Sequence, residues 1–139
     1  MIIEIENPGP LLTPQHLAEV EAELGVTLPA DYRAFLLAYN GGSPVPDTVD
    51  VEKAPGTPTD VQTFFGIGRH IESSGLVWNK RVLIDRIPEE CLPIACDSGG
   101  NLFCLAEGGR VVYIDLDSPE PGKYLVAETF DAFLQKLTE

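Results

Sequence analysis

The run Asp97-Ser98-Gly99-Gly100-Asn101 puts a carboxylate, a hydroxyl, two glycines and an amide within five residues. Phosphate loops and metal sites are made from such material. A phosphate loop also needs a lysine beside its glycines to neutralise the anion, and none is present. The plainer reading is a tight hairpin turn, with glycine supplying positive φ and the Asp97 side chain capping backbone amides. Asp115-Leu116-Asp117 sets two carboxylates at i and i+2, on one side of a strand, where they could hold a divalent cation. Nothing else of a metal-dependent transferase accompanies them, so they read as a solvated strand end. His16 and His70 lie far apart, and neither has the local Cys or Asp arrangement of a nucleophilic triad, which leaves them surface or capping roles. Ser73-Ser74-Gly75 lacks the context of a nucleophile elbow, and Gly66-Ile67-Gly68 lacks the third glycine of a dinucleotide fingerprint. Paired carboxylates for glycoside hydrolysis are a matter of separation in space, and 22 acids guarantee chance pairs. The three cysteines, Cys91, Cys96 and Cys104, are odd in number, lack paired C-x-x-C spacing and sit among apolar residues. They read as buried reduced thiols. The expectation is therefore no enzyme, no metal and no cofactor.

Charge is the strongest bulk signal. Against 22 Asp and Glu stand 9 Lys and Arg, a net charge of −13 at pH 7. Such a field repels phosphate backbones and anionic membranes, and it speeds encounter with basic partners. Nucleic acid and membrane are accordingly set aside as partners, although acidity also serves solubility alone. At 139 residues and 44% hydrophobic composition, the chain is expected to form one domain over residues 1–139. No apolar stretch reaches the roughly 20 residues that cross a bilayer, and the opening MIIEIENPG is acidic where a signal peptide is basic. A cytoplasmic location is expected.

The elements that would position these groups are marked by proline and glycine. Ile3 and Ile5 suggest a short strand or arm ended by Asn7-Pro8-Gly9-Pro10. Thr13 and Pro14 open a first helix with a stripe of Leu17, Val20 and Leu24, and Gly25 ends it. Pro29 opens a second, in which Tyr32, Phe35, Leu36 and Tyr39 line one face before Asn40-Gly41-Gly42 stops it. From Gly42 to Asp60 the composition predicts a loop or irregular edge, and Val61–Ile67 a strand that bends or ends at its glycines. Residues 70–81 are ambiguous. LPIAC, NLFCLA and VVYID, separated by glycine turns, predict an antiparallel meander covered on both faces, with helices supplying the cover. After a loop over Asp117–Gly122 the chain ends in a helix from about Ala127, with Phe130, Phe133, Leu134 and Leu137 in its stripe. The fold class is α+β: two N-terminal helices, a twisted antiparallel meander and a C-terminal helix.

Three segments in this order resemble the SUKH superfamily: LP-x-DY-x-x-FL-x-x-x-NGG over Leu28–Gly42, PIA-x-D-x-GGN-x-x-C-L over Pro93–Leu105, and A-x-x-F-x-x-FL over Ala127–Leu134. Each alone is a modest helix or turn signature; together they span nearly the whole chain. The superfamily is related to a fungal regulator of cell-wall glucan synthesis and contains many bacterial immunity proteins of polymorphic toxin systems. The resemblance implies an α+β fold, no catalytic centre and a role as a protein-binding module. It also implies that the partner is a cognate toxin, often a nuclease or nucleic-acid deaminase, whose active surface is masked. A basic substrate groove on such a toxin would suit an acidic protein. The alternative is a regulatory or scaffold protein with no toxin. The expected contact surface joins the acidic loop residues Asp47, Asp50 and Glu52 to whatever the sheet exposes near Trp78 and Asp97.

Overall fold

The first helix starts where the sequence places its cap. In the computed structural model, which describes residues 3–117 and 122–139, a short strand β1 (Glu4–Glu6) precedes α1 (Pro14–Leu24). Thr13 Oγ1 accepts the His16 amide and His16 Nδ1 accepts the Thr13 amide, so the histidine completes a capping box usually closed by glutamate. Gly25 ends the helix in the left-handed conformation, φ 70°. The second helix, α2 (Ala30–Ala38), follows at once. Glu21 locks the pair: its carboxylate accepts the Leu28 amide at 2.8 Å and the Arg33 guanidinium. Those donors, the amide foremost, hold the Glu21 carboxyl below the usual carboxylate range against the opposing effect of burial.

The stretch expected to be an irregular loop is instead pinned by short ladders. Strand β2 (Ser43–Val45) pairs with β1, and β3 (Thr48–Val49) pairs with β4 (Thr59–Asp60), with Thr48 also exchanging both backbone bonds with Thr138 near the C-terminus. Only Thr63–Phe64 of the expected Val61–Ile67 strand is regular, as β5. The ambiguous residues resolve into a single 3₁₀ turn, Glu72–Ser74, and α3 (Leu76–Val82). Then β6 (Leu92–Cys96), β7 (Leu102–Leu105) and β8 (Val111–Asp115) run as the expected meander. A further strand, β9 (Gly122–Ala127), was not anticipated; it takes in Gly122 from the expected Asp117–Gly122 loop, of which residues 118–121 lie outside the described residues. Ala127 therefore closes a strand, and the last helix, α4, begins at Phe130 and runs to Gln135 with Thr129 as its cap. The β-formers Tyr124 and Val126 carried a signal for β9, but the apolar stripe of the following helix overlaps it. The main sheet is antiparallel in the order β5-β6-β7-β8-β9.

Both faces of this sheet are covered, which is why its strands do not alternate. Phe103 and Tyr113 are direct cross-strand partners on one face; Leu102 and Ile114 pair on the other, and all four are buried. Helices α2 and α4 cover the first face through an aromatic cluster. Phe130 stands 5.1 Å from Tyr32 and 5.0 Å from Phe35, Phe35 stands 4.8 Å from Phe64, and Phe133 stands 5.1 Å from Phe103. Such pairs each add about 0.5–1.5 kcal/mol beyond their burial. Asp31 ties the two helices, accepting the Asp131 amide at 3.0 Å with one carboxylate oxygen. Helix α3 packs against β6, and Lys80 and Arg86 reach from it and its following loop to the carbonyls of Cys91 and Leu116.

Asn40 joins the N-terminal arm to the sheet. Its side chain donates to the Pro10 and Ile67 carbonyls at 2.9 and 2.7 Å and accepts the Ile67 amide at 2.7 Å. The two glycines after it are required: both have positive φ, and a Cβ on Gly41 would sit 2.7 Å from the Phe64 carbonyl oxygen.

Candidate interaction surface

Tertiary structure gathers carboxylates at one end of the molecule. The segment 47–60, which includes the β3–β4 excursion, carries Asp47, Asp50 and Glu52, all exposed, and its Pro55, Gly56 and Thr59 lie beside the β6–β7 turn and the end of β8. Asp60 at the end of β4 grips that turn, accepting the Ser98 amide at 2.9 Å and the Ser98 hydroxyl. Asp97, Asp115 and Asp117 line a shallow depression there with Pro55, Gly56 and Tyr113. Lys53 is the cation carried by the same excursion.

Asp97 is placed at this end but turned inward, with 3% of its surface exposed. One oxygen accepts the Gly99 and Asn101 amides at 3.0 and 2.8 Å; the other accepts the Thr59 hydroxyl at 2.9 Å and the Tyr113 hydroxyl at 2.5 Å. Its acceptor capacity is spent on the turn, as the capping role of a turn aspartate requires. Burial, reinforced by the bond to Asp97, pushes the Tyr113 hydroxyl far above its ordinary value, so it remains a donor. Asn101 continues the network by accepting the Leu116 amide at 2.8 Å. Asp97 thus shapes this surface from behind, with its side chain turned away from solvent. Trp78 does not line this depression: the residue is half-buried on α3, which packs on β6 and on the 3₁₀ turn that precedes the helix.

Asp60, Asp115 and Asp117 belong to this end and were not singled out from sequence as contact residues. The pair at 115 and 117 had a legible signal, two carboxylates on one side of a strand. Asp115, expected to be solvated, is only 9% exposed, and one of its oxygens accepts the Asp117 amide. The strand end shares its depression with Pro55, Gly56 and Thr59 from the returning β3–β4 excursion, a meeting of distant segments.

The basic residues reinforce the asymmetry. Arg33, Arg81 and Arg110 pair with Glu21, Glu23 and Glu128. Arg69, Lys80, Arg86 and Lys136 donate to backbone carbonyls. Most of the positive charge is therefore committed within the fold, while Asp47, Asp50 and Glu52 face water.

The cysteines are free: Cys91 and Cys104 are buried and Cys96 is half-buried. Burial, with Asp97 and Asp60 nearby, pushes the Cys96 thiol up to about 11, and burial raises the other two as well. Among the described residues no group of three or more His, Cys, Asp and Glu is arranged to hold a metal ion. No described helix is long and apolar enough to cross a membrane.

An antiparallel meander with α2 and α4 on one face, and polar hubs at Asn40 and Asp97, defines an α+β scaffold of the kind the three sequence segments anticipated. The chain belongs to the SMI1/KNR4 family (SUKH-1), whose pattern matches residues 11–136. It is also similar to the SPbeta prophage-derived uncharacterized protein YokK of Bacillus subtilis (strain 168), with 29% identity over 146 residues, 91% of this chain and 75% of that protein.

Proposed function

We propose that this chain is a non-catalytic protein-binding module that docks its acidic end on a basic surface of another protein, and that the partner is a toxin whose active surface it masks. The observation that carries the reading is the placing of Asp97, Asp115 and Asp117 around one depression, with Asp60 bonded to the turn beside it and the segment that bears the exposed Asp47, Asp50 and Glu52 running to its rim. Carboxylates held together in this way focus the field of a chain with net charge −13 and raise the encounter rate with a cationic surface. The turn beneath them is prebuilt by Asp97 and Asn101, so little ordering entropy is lost on docking. Family membership supports a protein partner. The chain would act in the cytoplasm.

The test is co-expression with candidate toxins, read as growth. One toxin should be neutralised, and the triple substitution Asp47→Lys, Asp50→Lys, Glu52→Lys should abolish protection. In purified proteins the same variant should slow association by roughly tenfold or more at low salt, with the gap closing as salt rises. An association rate indifferent to the triple variant and to salt would sink the electrostatic reading.

A further inference from the structure

Arg69 is the anomaly in the charge inventory. A chain with 22 acids has ample means to give a half-buried guanidinium a carboxylate, yet Arg69 pairs with none among the described residues. Its stem is held in place: a Cβ added at Gly9 or Gly66 would come within 3.1 or 3.0 Å of the Arg69 Cδ, so those glycines make room for it. Nη1 donates to the Asn40 carbonyl at 3.2 Å, which leaves other N–H groups of the planar fork uncommitted.

That fork lies on the wall of a depression formed by the Asn7–Pro10 arm, Gly68, His70, Ile71 and Ser74, none of them acidic. The Asn7 amide, the His70 ring and the Ser74 hydroxyl add potential donors. Two of the most exposed apolar residues of the chain flank it: Ile71, on its wall and 61% exposed, and Leu11, adjoining Pro10 and 86% exposed. From this geometry we infer that the depression is a carboxylate-binding site, which takes a partner's carboxylate carrying an apolar side chain beside it. A guanidinium fork matches a carboxylate with two parallel hydrogen bonds. The single cation of this depression, inside a molecule of charge −13, suits a singly charged carboxylate better than a doubly charged phosphate. The apolar rim supplies the rest of the contact and excludes water from the ion pair.

That the carboxylate belongs to a protein rests on the proposed function; the site itself does not. Either a chain terminus or an Asp or Glu side chain has the required chemistry. The experiment follows the amides of Gly9, Gly68 and Ser74 and the Arg69 Nε–H by nitrogen–proton NMR of the full chain. Three probes are titrated: N-acetyl-leucyl-leucine, N-acetyl-leucyl-aspartyl amide and N-acetyl-leucyl-leucine amide. Saturable shifts at these groups in roughly the millimolar range are expected with an acid and not with the uncharged amide. Whichever acid binds more tightly identifies the source. Arg69→Gln should weaken binding at least about tenfold, and Ile71→Ser severalfold. Ile71→Ser, at an exposed position, keeps the test valid should Arg69→Gln loosen the Asn40 junction. Equal binding of the amide, an absence of saturable shifts, or binding unchanged in both variants would overturn the inference. Those results would leave the acidic end's salt-dependent association untouched, so the two readings fail separately.

Discussion

Replacing Asp97 by alanine separates a structural carboxylate from a binding one. The side chain is 3% exposed and accepts two amides and two hydroxyls. Gly99 is exposed and Thr59 half-buried, so their donors can turn to water when the carboxylate is removed. The Asn101 amide and the Tyr113 hydroxyl belong to buried residues and have no such recourse. Each stranded buried donor costs about 1–3 kcal/mol, and the lost bonds to a charged acceptor bring the total to roughly 3–5 kcal/mol. Urea unfolding followed by circular dichroism should show the midpoint falling with the slope unchanged. Tyr113→Phe removes one of the four bonds and should cost about 1.5–3 kcal/mol, while the exposed Asp50→Lys should stay within about 0.5 kcal/mol of the parent. The reasoning would be refuted by an Asp97→Ala chain that loses less than about 1 kcal/mol and keeps its fold but no longer binds its partner. Asp97 would then be a contact residue after all.

Three further outcomes follow from individual groups. The Tyr32 hydroxyl is fully buried and has no hydrogen-bond partner among the described residues, so Tyr32→Phe should leave thermal stability unchanged or raise it, in contrast to Tyr113→Phe. Glu21 has a folded-state pKa below its ordinary value, so its contribution is present above the unfolded-state value and is lost as pH falls through the folded one. The stability gap between the parent and Glu21→Gln should therefore be widest near neutral pH and narrow in acid, as measured by urea midpoints across pH. With Cys96 pushed up to about 11 and the other thiols buried, the folded chain should react with a thiol reagent at pH 8 at least about a hundredfold more slowly than a free cysteine, and all three thiols should label in denaturant.

The amino-acid sequence by itself determined the helix boundaries at Thr13, Gly25 and Asn40, the central meander and the family, because all of these rest on local chemistry: caps, positive-φ glycines and apolar runs. The residues that carried the resemblance turn out to build the scaffold. Asp31 joins two helices, Tyr32 and Phe35 fill the aromatic core, Asn40 ties arm to sheet, and Asp97 holds a turn. Where the sequence reading failed, the missed strands are short or lie at an edge. β1 and β2 pair across some forty residues and Thr48 meets Thr138, contacts that no local propensity specifies, while β3, β4 and β9 pair with near neighbours in the chain through runs too short or too overlapped by other patterns to read. The same is true of function. Charge composition is legible residue by residue, but whether a carboxylate faces water or the interior is not. Only the folded chain turned Asp97 inward, covered Asp115 and brought the β3–β4 excursion to the end of β8. It alone left Arg69 without an acid among the described residues, because burial and neighbours depend on where each segment comes to rest.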